Sequence, residues 1–80
     1  MKRILIVEDE VAIREFEAIN LKRVGYTVEE AGSGEEALDI YDNDVLGFDI
    51  ALLDISMPGM DGFTLCKELR KRSETLGIIM

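Results

Sequence analysis

The sequence predicts an α/β fold, a parallel sheet with helices on both faces. Two observations carry that prediction. Short β-rich apolar runs at Ile4 to Val7, Tyr26 to Ala31, Ile50 to Ile55 and Gly77 to Met80 alternate with stretches of helical spacing. The resulting order, βαβαβαβ, is the pattern of strands joined by helical crossovers. The first and third runs are also almost continuously apolar, interrupted only by Asp54, as strands covered on both faces are.

Each element has its own local grounds. After the first strand come Asp9 and Glu10, and then apolar residues at Ile13, Phe16, Ile19 (or Leu21) and Val24. That spacing predicts a helix with those residues inward, acids at its positive end and Lys22 and Arg23 at its negative end. Gly25 stands where a left-handed C-terminal cap belongs. The second strand is more polar than the first, which places it near an edge. Ser33 with Glu36 reads as a capping box that opens a short helix bearing Ala37, Leu38 and Tyr41. The third strand runs into the turn-rich loop Ser56 to Gly62. Asp61 is the natural N-cap of a helix bearing Leu65, Cys66 and Leu69 and closed by Arg70, Lys71 and Arg72. Gly77 opens a fourth strand.

Composition narrows the function classes. The 80 residues are 48% apolar and 32% charged with a single proline, so they suit one folded unit and disfavour disorder. A net charge of −8 opposes broad binding of nucleic acid or anionic membrane by this segment. It suits a hard cation or a basic partner. One cysteine and no histidine exclude an internal disulfide framework and a Cys/His zinc site. The apolar run before Glu8 is too short for a signal peptide or a membrane span, so a cytoplasmic chain is expected. From Glu29 to Asp49 there are eight acids and no base, which reads as a solvated acidic face or a docking surface.

The informative acids lie at strand ends. Glu8 and Asp9 end the first strand, and Asp54 lies at the C-terminal end of the third. In open α/β sheets, ligands bind in the crevice outside the carboxyl ends of strands, where the winding reverses. If the first and third strands are neighbours, Glu8, Asp9 and Asp54 meet there. Three carboxylates together repel one another unless a cation neutralises them, and Mg²⁺ takes one or two carboxylates plus phosphate oxygens. A carboxylate is also a competent acceptor of a phosphoryl group. Position assigns Asp54 as the acceptor and Glu8 and Asp9 as metal holders. The plainer reading leaves these acids at the start of solvated loops, with Asp9 as an N-cap.

The segments KRILIVEDE, AGSGEEAL and DIALLDISMPGMDGFTLCKELR, with the final apolar strand, resemble the receiver domain of bacterial two-component response regulators. The resemblance covers essentially the whole chain. It implies a flavodoxin-like sheet of order 2-1-3-4, with Asp54 as phosphoacceptor from a histidine kinase's phosphohistidine. It implies direct Mg²⁺ coordination by Asp9, coordination by Glu8 through water, and a main-chain carbonyl ligand from Ser56. Met57 and Met60 are expected to pack beside the site. Pro58 and Gly59 fix the turn, and Arg14 is expected to be an exposed surface residue or part of a kinase-docking face.

Receiver domains have five strands, and the resemblance ends within the fourth. Residues 1–80 are therefore expected to be one partial receiver domain, the N-terminal two-thirds, without the fifth strand and last helices. The family's phosphate-sensing Ser or Thr and its Lys lie in that remainder. The chain is expected to be a phosphoacceptor rather than an enzyme, joined in its parent protein to a DNA-binding output domain. The free edge of the fourth strand is expected to take an output domain or a second chain, including a homodimer partner. Two other readings are a Mg²⁺-dependent phosphohydrolase with Asp54 as nucleophile and an interaction fragment that takes no phosphate. The hydrolase reading calls for an acid two residues after the nucleophile, where this chain has Ser56.

Overall fold

The computed structural model describes residues 2–80 and contains four strands and three helices. They follow one another as β1 (Arg3–Val7), α1 (Val11–Arg23), β2 (Thr27–Ala31), α2 (Gly34–Asn43), β3 (Ile50–Leu53), α3 (Gly62–Arg72) and β4 (Gly77–Ile79). All strand pairs are parallel and the sheet order is β2-β1-β3-β4, as expected, with the polar β2 at one edge. β2 and β3 are shorter than their apolar runs. Tyr26 lies before β2, while Asp54 and Ile55 lie beyond β3, where the chain turns out of the ladder.

The alternation of β1 divides the core into two layers. Leu5 and Val7 face one side with Ala51, Leu53, Leu65 and Leu69, under α2 and α3. Ile4 and Ile6 face the other with Ala18 and Val28, under α1. Burying such side chains contributes roughly 1.5–3 kcal/mol each, and β1 is one of the two inner strands. Met57 belongs to the first core and Met60 packs against it.

Local signals set most element ends. Gly25, at φ 100°, ends α1 in a Schellman motif: its N–H donates to the Lys22 carbonyl, and Tyr26 N–H donates to the Leu21 carbonyl. Ser33 Oγ accepts from Glu36 N–H at 3.1 Å. Glu36 Oε1 accepts in return from Gly32 N–H rather than from Ser33 N–H, so the capping box closes one residue early. Asp61 caps α3 by accepting from Thr64 N–H at 2.8 Å.

Of the apolar residues expected on the inner face of α1, Leu21, the alternative to Ile19, packs inward and the others do not. Ile13, Phe16, Ile19 and Val24 are 46%, 70%, 56% and 70% exposed. The face turned to the sheet carries Arg14, Glu17, Ala18 and Leu21, the last packed against the Ile4–Ile6 layer. The physical reason is the position of the sheet: α1 lies over β1 and β2, and the side of the helix with Ala18 and Leu21 meets the Ile4–Ile6 layer.

Candidate functional site

The site is built by the β1–β3 register. Val7 pairs with Leu53, so Glu8 and Asp54, one residue further along each strand, emerge side by side. The pairing continues past the strand proper, because Asp54 N–H donates to the Val7 carbonyl at 2.9 Å. On the other side, Glu8 N–H donates to the Ala31 carbonyl at 3.1 Å. Both residues are thus fixed by the sheet at its carboxyl end. The N-cap of α1 is Glu10, not Asp9, which leaves the Asp9 side chain out of the helix cap.

One carboxylate oxygen from each of Glu8, Asp9 and Asp54 lies within 4.8 Å of the others. Glu8 is buried, at 8% exposure, and Asp9 and Asp54 are half-buried. Glu8 and Asp54 also line a crevice of about 270 Å³ with Val7, Leu53, Ile55 and Met80. Burial pushes the Glu8 carboxyl above the ordinary range. A hydrogen bond from Glu10 N–H opposes this, and the nearby Asp54 charge adds to the rise. No ion pair among the described residues reaches any of the three carboxylates. Clustered acids with no basic counter-ion suit a hard cation with oxygen ligands, so the donor set fits Mg²⁺.

Ser56 lies in the exposed loop after β3, and its N–H donates to Asp54 Oδ1 at 3.2 Å. That bond orients one oxygen of Asp54. The loop then folds back, with Gly62 N–H donating to the Ile55 carbonyl at 3.0 Å. A Cβ at Gly62 would run into the Asp54 carbonyl, and Gly59 has φ 75°. These two glycines let the loop close against the end of β3.

Near the site, one residue escaped the sequence reading and the exposure expected of another is corrected. Glu17, on the sheet-facing side of α1, lines the same crevice, and burial followed by the Asp54 charge raises its carboxyl pKa. Arg14 is half-buried rather than exposed, and its Nη1 donates to the Glu8 main-chain carbonyl at 2.9 Å. The available signal was the spacing Arg14, Glu17, Ala18, Leu21, which is as helical as the apolar set that masked it.

A family model described as the response regulator receiver domain matches residues 4–80. A probable transcriptional regulator ycf27 of Cyanophora paradoxa is 43% identical over 79 residues, 99% of this chain and 32% of that protein. Its counterpart in Guillardia theta is 41% identical over 91% of this chain and 28% of that protein. The chain therefore spans about a third of these relatives' length. Among solved structures, response regulator protein TrrA from Thermotoga maritima in complex with Mg²⁺-BeF superposes with a TM-score of 0.93 at 41% identity. That match covers 100% of this chain and 68% of that one. The complex of histidine kinase ThkA with TrrA gives 0.89 at 41% identity, over 98% of this chain and 66% of that one.

Proposed function

The chain belongs to the response regulator receiver domain family of two-component signalling, and on that premise we propose that Asp54 accepts a phosphoryl group from a histidine kinase. In this reading residues 1–80 are the N-terminal part of one receiver module. An Asp54 carboxylate oxygen attacks the phosphorus of a phosphohistidine. The P–N bond breaks, its electron pair goes to the imidazole nitrogen, and an acyl phosphate forms on Asp54.

Glu8, Asp9, Asp54 and the Ser56 carbonyl would hold Mg²⁺, which supplies positive charge opposite the transferring phosphoryl oxygens. The observation that carries the proposal is the convergence of three carboxylates at the ends of β1 and β3 without a basic partner. The Ser56 N–H bond to Asp54 Oδ1 leaves Oδ2 as the oxygen free to attack phosphorus. The segment acts as a phosphoacceptor, limited by itself to taking phosphate from small donors and losing it to water.

The name of the ycf27 relatives supports transcription control as the output of the parent protein, through a DNA-binding domain. A net charge of −8 keeps the segment itself off DNA. A histidine kinase is the proposed partner, in keeping with the ThkA–TrrA complex. Among the described residues, no helix is long and apolar enough to cross a membrane. A cytoplasmic place for the module follows from a kinase partner.

The deciding experiment is incubation with acetyl phosphate and Mg²⁺, read by intact mass. One added phosphoryl group is expected on the wild-type chain and none on Asp54→Ala. Modification that survives Asp54→Ala, or none on the wild type, would reject Asp54 as acceptor.

A further inference from the structure

Arg14 is the basic side chain that reaches the loop bearing the acidic pair, and it does not touch the carboxylates. Its Nη1 donates to the main-chain carbonyl of Glu8 at 2.9 Å, and its Nε lies 3.6 Å from Glu30 Oε1 on β2. Lys22 Nζ stands 4.0 Å from the other oxygen of the same Glu30 carboxylate. The guanidinium also lies against the main chain after β2, where a Cβ on Gly32 would come within 3.0 Å of Nη1. The Arg14 side chain is 19% exposed, more buried than a solvated helix arginine. It fills the corner between the ends of β1 and β2 and the first turn of α1.

The bond matters because of where Glu8 stands. Its N–H is the last link from β1 to β2, made to the Ala31 carbonyl, and one side-chain oxygen accepts from Glu10 N–H at 3.1 Å. Its carbonyl has left the ladder, and Arg14 is its donor among the described residues. That carbonyl belongs to the peptide plane joining Glu8 to Asp9. The ψ angle of Glu8, which sets where that carbonyl points, also sets where Asp9 stands relative to Glu8, so holding the carbonyl holds the two carboxylates in their mutual placement.

We propose that Arg14 is a positioning residue, clamping the Glu8–Asp9 peptide so that both carboxylates are preset for a divalent cation. The inference rests on the cation-site reading given above. A cation directed at the backbone leaves the carboxylate lone pairs free for metal, whereas an ion pair with Glu8 or Asp9 would compete for them. Glu30 holds the guanidinium from its far side and so fixes the clamp.

The test exploits opposite signs. By charge alone, removing Arg14 takes a positive group from the neighbourhood and would tighten Mg²⁺ binding. By positioning, the loss weakens binding, and groups that orient metal ligands are worth roughly 10–100-fold in affinity. Mg²⁺ titration of the 80-residue chain by calorimetry is expected to give Arg14→Met a Kd about tenfold weaker than wild type, near the low end of that range. Arg14→Lys, which retains one donor within reach of the Glu8 carbonyl, is expected to recover part of the loss. Faster amide hydrogen exchange at Glu10 in metal-free Arg14→Met is the independent readout.

A folded Arg14→Met with equal or tighter Mg²⁺ binding overturns the proposal. Should that variant not fold, Arg14→Gln is judged by the same criterion. A wild-type chain that binds no Mg²⁺ overturns the cation-site reading and this proposal with it. That outcome is distinct, because the wild-type titration is then blank before any variant is compared.

Discussion

Glu8 is a carboxylate made costly by its surroundings, since it is buried and stands beside Asp54 and Asp9. A folded-state pKa above the unfolded value means that the metal-free fold favours the protonated acid. The related stability is complete below the ordinary glutamate range and is lost as pH rises through the elevated folded value. Glu17 acts in the same direction. Asp44, hydrogen-bonded by Arg3, and Asp61, accepting from Thr64 N–H, act oppositely, because their pKa values are lowered. Their contribution is present above the ordinary aspartate range and is lost as pH falls through the depressed values. We predict that urea midpoints of the metal-free chain rise as pH falls from neutral toward about 5, then drop below about 3.5. Glu8→Gln should flatten the upper limb. An unchanged upper limb in that variant would remove Glu8 as its source. Glu8, Asp9 and Asp54 were legible because strand ends can be read from apolar runs. Arg14 was not, because a bond to a main-chain carbonyl leaves no trace in residue type.

At the level of elements, caps were more legible than faces. Ser33, Asp61 and Gly25 were identifiable because each answers a local demand, an unpaired N–H or a left-handed turn, that the neighbouring sequence states. The buried face of α1 answers a tertiary demand. Two residue sets share its helical spacing, and the side that meets the sheet is the one with Ala18. The α3 cap also matters to the site, because the loop it ends folds over Asp54. Asp61→Ala removes the acceptor for Thr64 N–H and should cost about 1 kcal/mol in chemical denaturation, with most of it restored by Asp61→Asn. A loss below about 0.3 kcal/mol would show that the α3 terminus is held by other contacts.

Taken whole, the molecule is well covered on one side and thinly covered on the other. α2 and α3 close over the Leu5–Leu53 layer, whereas Phe16, Ile79 and Met80 remain 70%, 53% and 46% exposed. β4 pairs with β3 on one edge only among the described residues. An apolar strand edge invites another strand. We predict that the 80-residue chain associates with rising concentration in size-exclusion chromatography with light scattering. A monomer throughout the millimolar range would mean that the edge is protected in solution. The β1–β3 ladder has a further consequence, which concerns the order of folding. β1 and β2 are joined by one helix, while β1 and β3 lie across two, so their pairing carries the larger loop-closure cost. The carboxylates meet only when that ladder is in register. A partly folded chain with β1 on β2 alone therefore has no cation site. Any Mg²⁺ bound would weigh on the native basin by mass action, about 2.7 kcal/mol at a hundredfold excess over Kd. If β1–β3 pairing follows the folding barrier, that weight appears as slower unfolding and leaves the folding rate unchanged.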